Sequence, residues 1–134
     1  MKSSLEIQYI LSELKTVEEH VGKIQDKWGI SQKDAIHINL ILDELVTNII
    51  EHGGSSTEKK IKISFTRMNE KLTIEVADTG PPFDPTRCTE VDTTLPLEKR
   101  QCGGLGIHIV RKLCSCSSYT RLKGKNIFTL NKTL

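Results

Sequence analysis

The sequence predicts an α+β fold in which helices cover one face of a mainly antiparallel sheet, forming a two-layer sandwich. Short stretches of alternating apolar and polar residues predict the strands. One long segment has the spacing of a helix with apolar residues around more than half its circumference, which predicts a buried helix. A proline-rich stretch separates these elements from the last ones. With 134 residues the chain has the usual size of one domain, so we expect a single domain over residues 1–134.

The first part of the chain predicts one strand and two helices. Residues 5–10 alternate as in a half-buried strand. Apolar residues three or four positions apart over residues 13–28 predict an amphipathic helix that ends at Gly29. Ser31 is a favourable N-cap for a second helix that should run to about residue 51 and stop at the glycines 53 and 54. This second helix is the most apolar and should lie beneath the sheet.

A predicted hairpin and a long loop follow. Residues 60–68 and 71–77 alternate as two strands with one wet face, joined by a turn at Asn69 and Glu70. Residues 79–102 contain all four prolines and show no periodicity. Long loops inside compact domains are commonly functional lids, so we interpret about 79–102 as a lid.

The remaining residues predict a helix and a second hairpin. The glycine-rich residues 103–106 open an apolar-periodic segment that we interpret as a short helix. Strands at 119–122 and 127–130, turned by residues 124–126, should close the sheet.

Composition excludes several function classes. The chain has 19 basic and 17 acidic residues, a balance that predicts neither a nucleic-acid nor a membrane surface. No apolar run approaches the roughly 20 residues that cross a bilayer, so we expect a soluble cytoplasmic protein. Its cysteines should be reduced thiols, and their spacing does not match that of a zinc finger. They are Cys88, Cys102, Cys114 and Cys116.

The long helix carries a stripe of polar residues. Glu44, Asn48 and His52 are four residues apart and therefore share one face. Such a stripe alone indicates a solvated face more often than a site. An asparagine carbonyl oxygen can, however, supply one ligand to Mg²⁺ while phosphates and waters fill the other positions.

Two further segments have chemistry that suits a nucleotide. Asp78 ends a predicted strand two residues before Gly80, and its carboxylate could accept a hydrogen bond from an exocyclic amine such as that of adenine. Residues 103–106, Gly-Gly-Leu-Gly, precede a helix, where free backbone N–H groups suit phosphate. Taken alone, the first is typical of a turn and the second of a hinge. The sequence contains no Walker A motif.

The order of these segments resembles that of the GHKL ATPases, which include gyrase, heat-shock chaperones, histidine kinases and MutL. Residues 44–52 resemble their N box, residues 78–80 their adenine-binding box, and residues 103–106 their lid-hinge phosphate box. Within this superfamily the chain is most similar to the anti-sigma-factor serine/threonine kinases, on residues 78–85, Asp-Thr-Gly-Pro-Pro-Phe-Asp-Pro. No histidine is followed by the acidic residue and proline of a phosphoacceptor helix.

The resemblance implies a role for each motif residue. Glu44 would orient or deprotonate the attacking hydroxyl, and Asn48 would bind Mg²⁺. Asp78 would contact adenine beside Gly80. The phosphate loop would consist of Gly103, Gly104, Leu105 and Gly106.

The resemblance also implies partners. The chain would be an anti-sigma regulatory factor that uses ATP to phosphorylate an anti-sigma-factor antagonist, with a sigma factor as a second partner and a homodimer as its assembly. Two alternatives remain open: a binding module that ATP gates without kinase activity, and an ATPase domain serving a separate histidine phosphoacceptor. The nucleotide motifs fit all three, and the kinase hypothesis depends on Glu44.

Overall fold

The computed structural model describes residues 1–85 and 106–134, with side chains in the second range from Val110 onward. Much of the expected lid, together with Gly103, Gly104, Leu105, Cys88 and Cys102, lies outside the described residues. The strands are β1 (Lys2–Tyr9), β2 (Ser56–Met68), β3 (Lys71–Asp78), β4 (Cys116–Leu122) and β5 (Lys125–Thr133). The helices are α1 (Leu14–Trp28), which a 3₁₀ turn at Leu11–Glu13 precedes, α2 (Gln32–Gly53) and α3 (Gly106–Leu113).

The five strands form one antiparallel sheet in the order β1-β2-β3-β5-β4. Buried residues alternate with less buried ones along β2, β3 and β5, so one face of the sheet packs against the helices and the other is nearer to solvent. This confirms the predicted α+β fold with helices on one face of an antiparallel sheet. The side chains of the sheet in the core include Ile61, Ile63, Phe65, Leu72, Ile74, Val76, Phe128 and Leu130.

The first two helices begin and end where the sequence predicts. Gly29 follows α1 with a φ of 65°, a left-handed conformation that glycine adopts without strain. The Ser31 hydroxyl accepts a hydrogen bond from the Asp34 backbone N–H at 3.1 Å and so caps α2. α2 supplies many core side chains, so the polar Asn48, which is only 3% exposed, is held in a mainly apolar layer.

The closing hairpin differs from the prediction. Its turn consists of Lys123 and Gly124, which both have positive φ, 52° and 75°. Two such residues make the tight turn whose twist matches that of paired strands. Lys125 and Asn126 were predicted to be turn residues, which is wrong: both belong to β5. The consequence is that Asn126 pairs with Asp78 in the next strand.

A half-buried ion pair connects the end of the sheet to the start of α2. Lys132 of β5, 6% exposed, lies with its Nζ 3.3 Å from a carboxylate oxygen of Asp34. Among the described cysteines, Cys114 and Cys116 are not joined in a disulfide. Within residues 1–85 and 106–134, no helix is both long and apolar enough to cross a bilayer.

Candidate functional site

A small cleft lies where the C-terminal part of α2 meets the ends of β3, β4 and β5. Its free volume is about 30 Å³, so a ligand larger than a water molecule requires the walls to move apart. Apolar side chains form most of the wall and a few polar groups point between them, which is typical of small-molecule sites. The described lining residues are Leu45, Asn48, Ile49, His52, Gly53, Val76, Asp78, Gly80, Pro81, Phe83, Pro85, Tyr119, Asn126 and Phe128.

Asp78 is the buried carboxylate of the cleft, 6% exposed at the end of β3. Its Oδ1 accepts hydrogen bonds from the Gly80 backbone N–H at 2.8 Å, the Asn126 side-chain amide at 3.0 Å and the Tyr9 hydroxyl at 3.3 Å. Within the described residues all three donors reach the same oxygen. Oδ2 is therefore the carboxylate oxygen available to accept from a ligand.

Tyr9, at the C-terminal end of β1, supports Asp78 from two strands away at the same end of the sheet. The tyrosine is fully buried, and its hydroxyl also accepts a hydrogen bond from the Thr79 backbone N–H at 3.1 Å. Burial, and next the negative charge of Asp78, raise the pKa of the Tyr9 hydroxyl. A Cβ at Gly53 would lie 2.7 Å from Cε2 of the Tyr9 ring. The close approach of α2 to this ring therefore requires glycine at position 53.

Asn126 and Arg121 continue the line of side chains that starts at Asp78. The register pairs Asp78 with Asn126, and Asn126 with Arg121, across three neighbouring strands. The Arg121 guanidinium donates to the backbone oxygen of Gly80 at 2.7 Å. The Tyr119 hydroxyl donates to the Asn126 side-chain oxygen at 2.5 Å. The segment after β3 is thus attached to both strands beyond it.

Asn48 presents an unsatisfied amide at the cleft. Its Nδ2 is buried and has no hydrogen-bond partner among the described residues. The amide oxygen is the atom of this side chain that can bind a metal, and a half-turn about the last side-chain bond would place it at this position. The described residues contain no group of three or more His, Cys, Asp or Glu side chains that could hold a metal. An amide oxygen of Asn48 at this position would suit Mg²⁺ as one ligand, with phosphate oxygens and waters completing the shell.

Glu44 lies one helical turn before Asn48 and is partly buried. Burial raises the pKa of the Glu44 carboxyl, interaction with the Asn48 side chain lowers it, and the negative charge of Glu51 raises it further. Glu44 is one turn from Asn48 on α2 but is not among the described residues that line the cleft.

The outer wall of the cleft is aromatic. The rings of His52 and Phe83 are stacked with centroids 4.2 Å apart and an angle of 26° between their planes. Phe83 follows the proline pair at 81 and 82 and is partly buried. This stacked pair gives the cleft a flat apolar border of the kind that suits a planar ring.

The predicted site residues are thus partly brought together. Asn48, Asp78 and Gly80 line one cleft, and Glu44 is one turn away on α2. Gly106 is the first residue of α3, whereas Gly103, Gly104 and Leu105 lie outside the described residues. The sequence-based reasoning missed four residues of the polar network. They are Tyr9, Tyr119, Arg121 and Asn126.

Comparison of the sequence with known proteins finds one family of domains. The family model of the histidine kinase-like ATPase domain matches residues 10–132. The serine/threonine-protein kinase BtrW of Bordetella bronchiseptica is 27% identical over 113 residues, which is 84% of this chain and 78% of that protein. The serine-protein kinase RsbW of Bacillus cereus is 27% identical over 94 residues. The match spans 67% of this chain and 59% of RsbW, less than two thirds of that relative's length.

Solved structures share the fold. The RsbU and RsbW domains of a Mycobacterium tuberculosis protein match with a TM-score of 0.67 and 18% identity, over 98% of this chain and 32% of that chain. A chain of the SiaB-SiaC complex from Pseudomonas aeruginosa matches with a TM-score of 0.64 and 11% identity, over 98% and 89%. The catalytic domain of histidine kinase ThkA matches with a TM-score of 0.56 and 20% identity, over 98% and 97%.

Proposed function

The chain belongs to the histidine kinase-like ATPase domain family, and from this premise we propose that it binds ATP and transfers the γ-phosphoryl group to a serine or threonine of a partner protein. The observation that carries the proposal is the Asp78 carboxylate: among the described residues, three donors reach one of its oxygens and none reaches the other, which would accept from a ligand. Support for the choice of acceptor comes from the kinases BtrW and RsbW, whose names specify serine or threonine.

Adenine would bind between the polar base of the cleft and its aromatic border. The free oxygen of Asp78 accepts the hydrogen bond of the exocyclic amine. The His52 and Phe83 rings border the planar base, and Phe83 moves outward to admit it, because the cleft without a ligand has room for little more than a water molecule.

The phosphates would extend from the adenine site toward Asn48 and the start of α3. Asn48 provides one oxygen ligand for Mg²⁺, which neutralises phosphate charge when bound. Gly103, Gly104, Leu105 and Gly106 supply backbone N–H groups to the phosphates before and at the first turn of α3.

Glu44 would be the catalytic carboxylate. It orients the incoming hydroxyl and accepts its proton as the phosphoryl group is transferred. Catalysis otherwise depends on positioning and charge neutralisation, since phosphoryl transfer asks for little covalent chemistry from the protein.

The proposed phosphoacceptor is an anti-sigma-factor antagonist, and a sigma factor is the proposed second partner, in a partner switch that takes place in the cytoplasm. A homodimer is the proposed assembly. These proposals are supported by the resemblance of residues 44–52 to the N box of the GHKL ATPases and of residues 78–85 to the anti-sigma-factor kinases.

Transfer of radiolabelled phosphate tests the reaction class. The protein is incubated with γ-labelled ATP, Mg²⁺ and candidate antagonists, and the product is tested for acid-stable phosphoserine or phosphothreonine. Glu44→Gln should keep ATP affinity within a few-fold yet slow transfer by about 10²- to 10⁴-fold. Glu75→Gln is the matched control, because Glu75 lies exposed on β3, outside the described cleft lining, and should leave the rate unchanged. An unaltered rate for Glu44→Gln would remove it as the base.

One observation favours a second function, an ATP-gated binding module. Glu44 is outside the described lining of the cleft, and a nucleotide binder has less need of a carboxylate beside the γ-phosphate. ATP-dependent association with a partner, without labelled product, would support this module. An acid-labile phosphohistidine product would instead identify an ATPase domain that serves a separate phosphoacceptor.

A further inference from the structure

Asn126 is a buried amide whose hydrogen-bonding groups are all occupied within the described residues. Its Nδ2 donates to Oδ1 of Asp78 at 3.0 Å and to the backbone oxygen of Pro81 at 2.9 Å. Its Oδ1 accepts from the Tyr119 hydroxyl at 2.5 Å and from the Arg121 guanidinium at 3.1 Å. Acceptors surround the nitrogen and donors surround the oxygen, so the amide has one favourable orientation.

The register of the sheet creates this arrangement. Asp78 of β3, Asn126 of β5 and Arg121 of β4 are cross-strand neighbours in one row. Side chains at paired positions lie on the same face of a sheet, as does Tyr119, two residues before Arg121. The Arg121 guanidinium also donates to the Gly80 backbone oxygen at 2.7 Å. Two strands therefore hold both the carboxylate of Asp78 and the backbone that follows it.

We propose that Asn126 is a positioning residue for adenine recognition, which holds Asp78 with Oδ2 directed at the 6-amino group while Tyr119 and Arg121 fix the amide. This inference rests on the proposed binding of ATP. Rotation of the carboxylate would break its bonds to Asn126, Tyr9 and the Gly80 N–H together. The Asn126 amide thus acts on the base through the orientation of Asp78.

The positioning role has a signature that a merely structural role lacks. A carboxylate oxygen accepts hydrogen bonds, so a correctly oriented Asp78 favours a purine with a 6-amino group over one without it. Removing the Asn126 amide should reduce this preference selectively. General loosening of the cleft would instead weaken all purine nucleotides by the same factor.

Calorimetry with two nucleotides separates these cases. We would measure the Kd of ATP and of purine riboside 5′-triphosphate, which lacks the 6-amino group, in the presence of Mg²⁺. The wild type should favour ATP by roughly tenfold or more, the effect of one hydrogen bond to a charged group. Asn126→Leu leaves Asp78 with its bonds to Tyr9 and to the Gly80 N–H, and should lower the ratio of the two Kd values several-fold.

Asn131→Leu is the matched control. Asn131 lies on the same strand, and its amide accepts from the Thr73 hydroxyl at 2.8 Å and donates to the Cys116 sulfur at 2.9 Å, outside the described cleft lining. This variant should keep the wild-type ratio. Tyr119→Phe is the milder second variant, because it removes only the hydroxyl that holds the amide oxygen, and it should lower the ratio by a few-fold.

The outcomes distinguish this inference from the proposed function. If the wild type binds ATP with the preference and Asn126→Leu retains it, the positioning role is wrong while ATP binding stands. If the wild type binds both triphosphates equally, Asp78 does not read the amine and the inference fails. Binding of neither triphosphate would overturn the proposed function itself. If Asn126→Leu does not fold, an unchanged ratio in Tyr119→Phe overturns the positioning role.

Discussion

Gly53→Ala should destabilise the protein even though alanine is the better helix former. Gly53 is the last residue of α2, and a Cβ there would lie 2.7 Å from Cε2 and 3.3 Å from Cδ2 of the Tyr9 ring. Ordinary contacts of a Cβ are 3.4 Å or longer, so about 0.7 Å of movement is needed. The ring cannot move freely, since Tyr9 is fully buried and its hydroxyl bonds Asp78 and Thr79.

The magnitude follows from two opposing effects. Replacing a helical glycine by alanine gains up to about 1 kcal/mol, and less at the end of a helix. Forcing an extra methyl group into a packed site costs about 1–3 kcal/mol. Gly53→Ala should therefore lower the free energy of unfolding by about 1–2 kcal/mol.

Gly22→Ala is the matched control, because Gly22 lies inside α1 and a Cβ there meets nothing within 4 Å. It should raise the free energy of unfolding by about 0.5–1 kcal/mol. Urea denaturation of both variants measures their free energies of unfolding. In a titration with ATP, only Gly53→Ala should bind more weakly, because the displaced Tyr9 can no longer hold Asp78. Equal stabilisation by the two substitutions would refute the claim that the packing of the Tyr9 ring requires glycine at position 53.

Three further changes test the supports of the cleft and core. Tyr9→Phe should lower the free energy of unfolding, measured by urea denaturation, by about 1–2 kcal/mol, because Asp78 and the Thr79 N–H each lose a buried partner. An unchanged free energy would mean that these hydrogen bonds make no net contribution to stability. Lys132→Ala leaves the partly exposed Asp34 carboxylate without this cation and should lower the free energy of unfolding by about 1–2 kcal/mol. Most of the loss should be regained in Asp34→Asn/Lys132→Ala, and additive losses in that cycle would contradict a direct pair. Burial, and next the charge of Lys23, lower the pKa of His20. The unfolded chain therefore takes up the proton at a higher pH than the folded protein, and the free energy of unfolding falls as the pH drops through about 6.5. His20→Gln should weaken this dependence of the unfolding free energy on pH between 7.5 and 5.5, and an unaltered slope would contradict the reasoning.

The sequence was sufficient for the layers of the fold because its periodicities are local. Apolar spacing and caps at Gly29 and Ser31 predict α1 and α2, and alternation predicts the central strands. The sequence does not predict the β4–β5 turn correctly, because residues 124–126 all favour turns by composition. Only the paired register shows that Lys123 and Gly124 make the turn.

The candidate site was predictable where its residues belong to a contiguous motif. Asp78 and Gly80 are two residues apart, and Asn48 lies on a recognisable polar stripe. Tyr9 and Asn126 are 69 and 48 residues from Asp78, and their contacts arise from strand pairing that no local pattern encodes. A buried tyrosine at the end of a strand otherwise predicts only a core residue.

The binding of ATP through Asp78 is the central claim, and calorimetric titration of Mg²⁺-ATP into Asp78→Asn tests it most directly. Asp26→Asn on the exposed side of α1 is the matched control. The wild type and Asp26→Asn should bind ATP with equal affinity, while Asp78→Asn, folded by circular dichroism, should bind it at least roughly tenfold more weakly, because it loses a charged acceptor for the amine. Equal affinity in all three proteins, or no binding by the wild type, would contradict the claim.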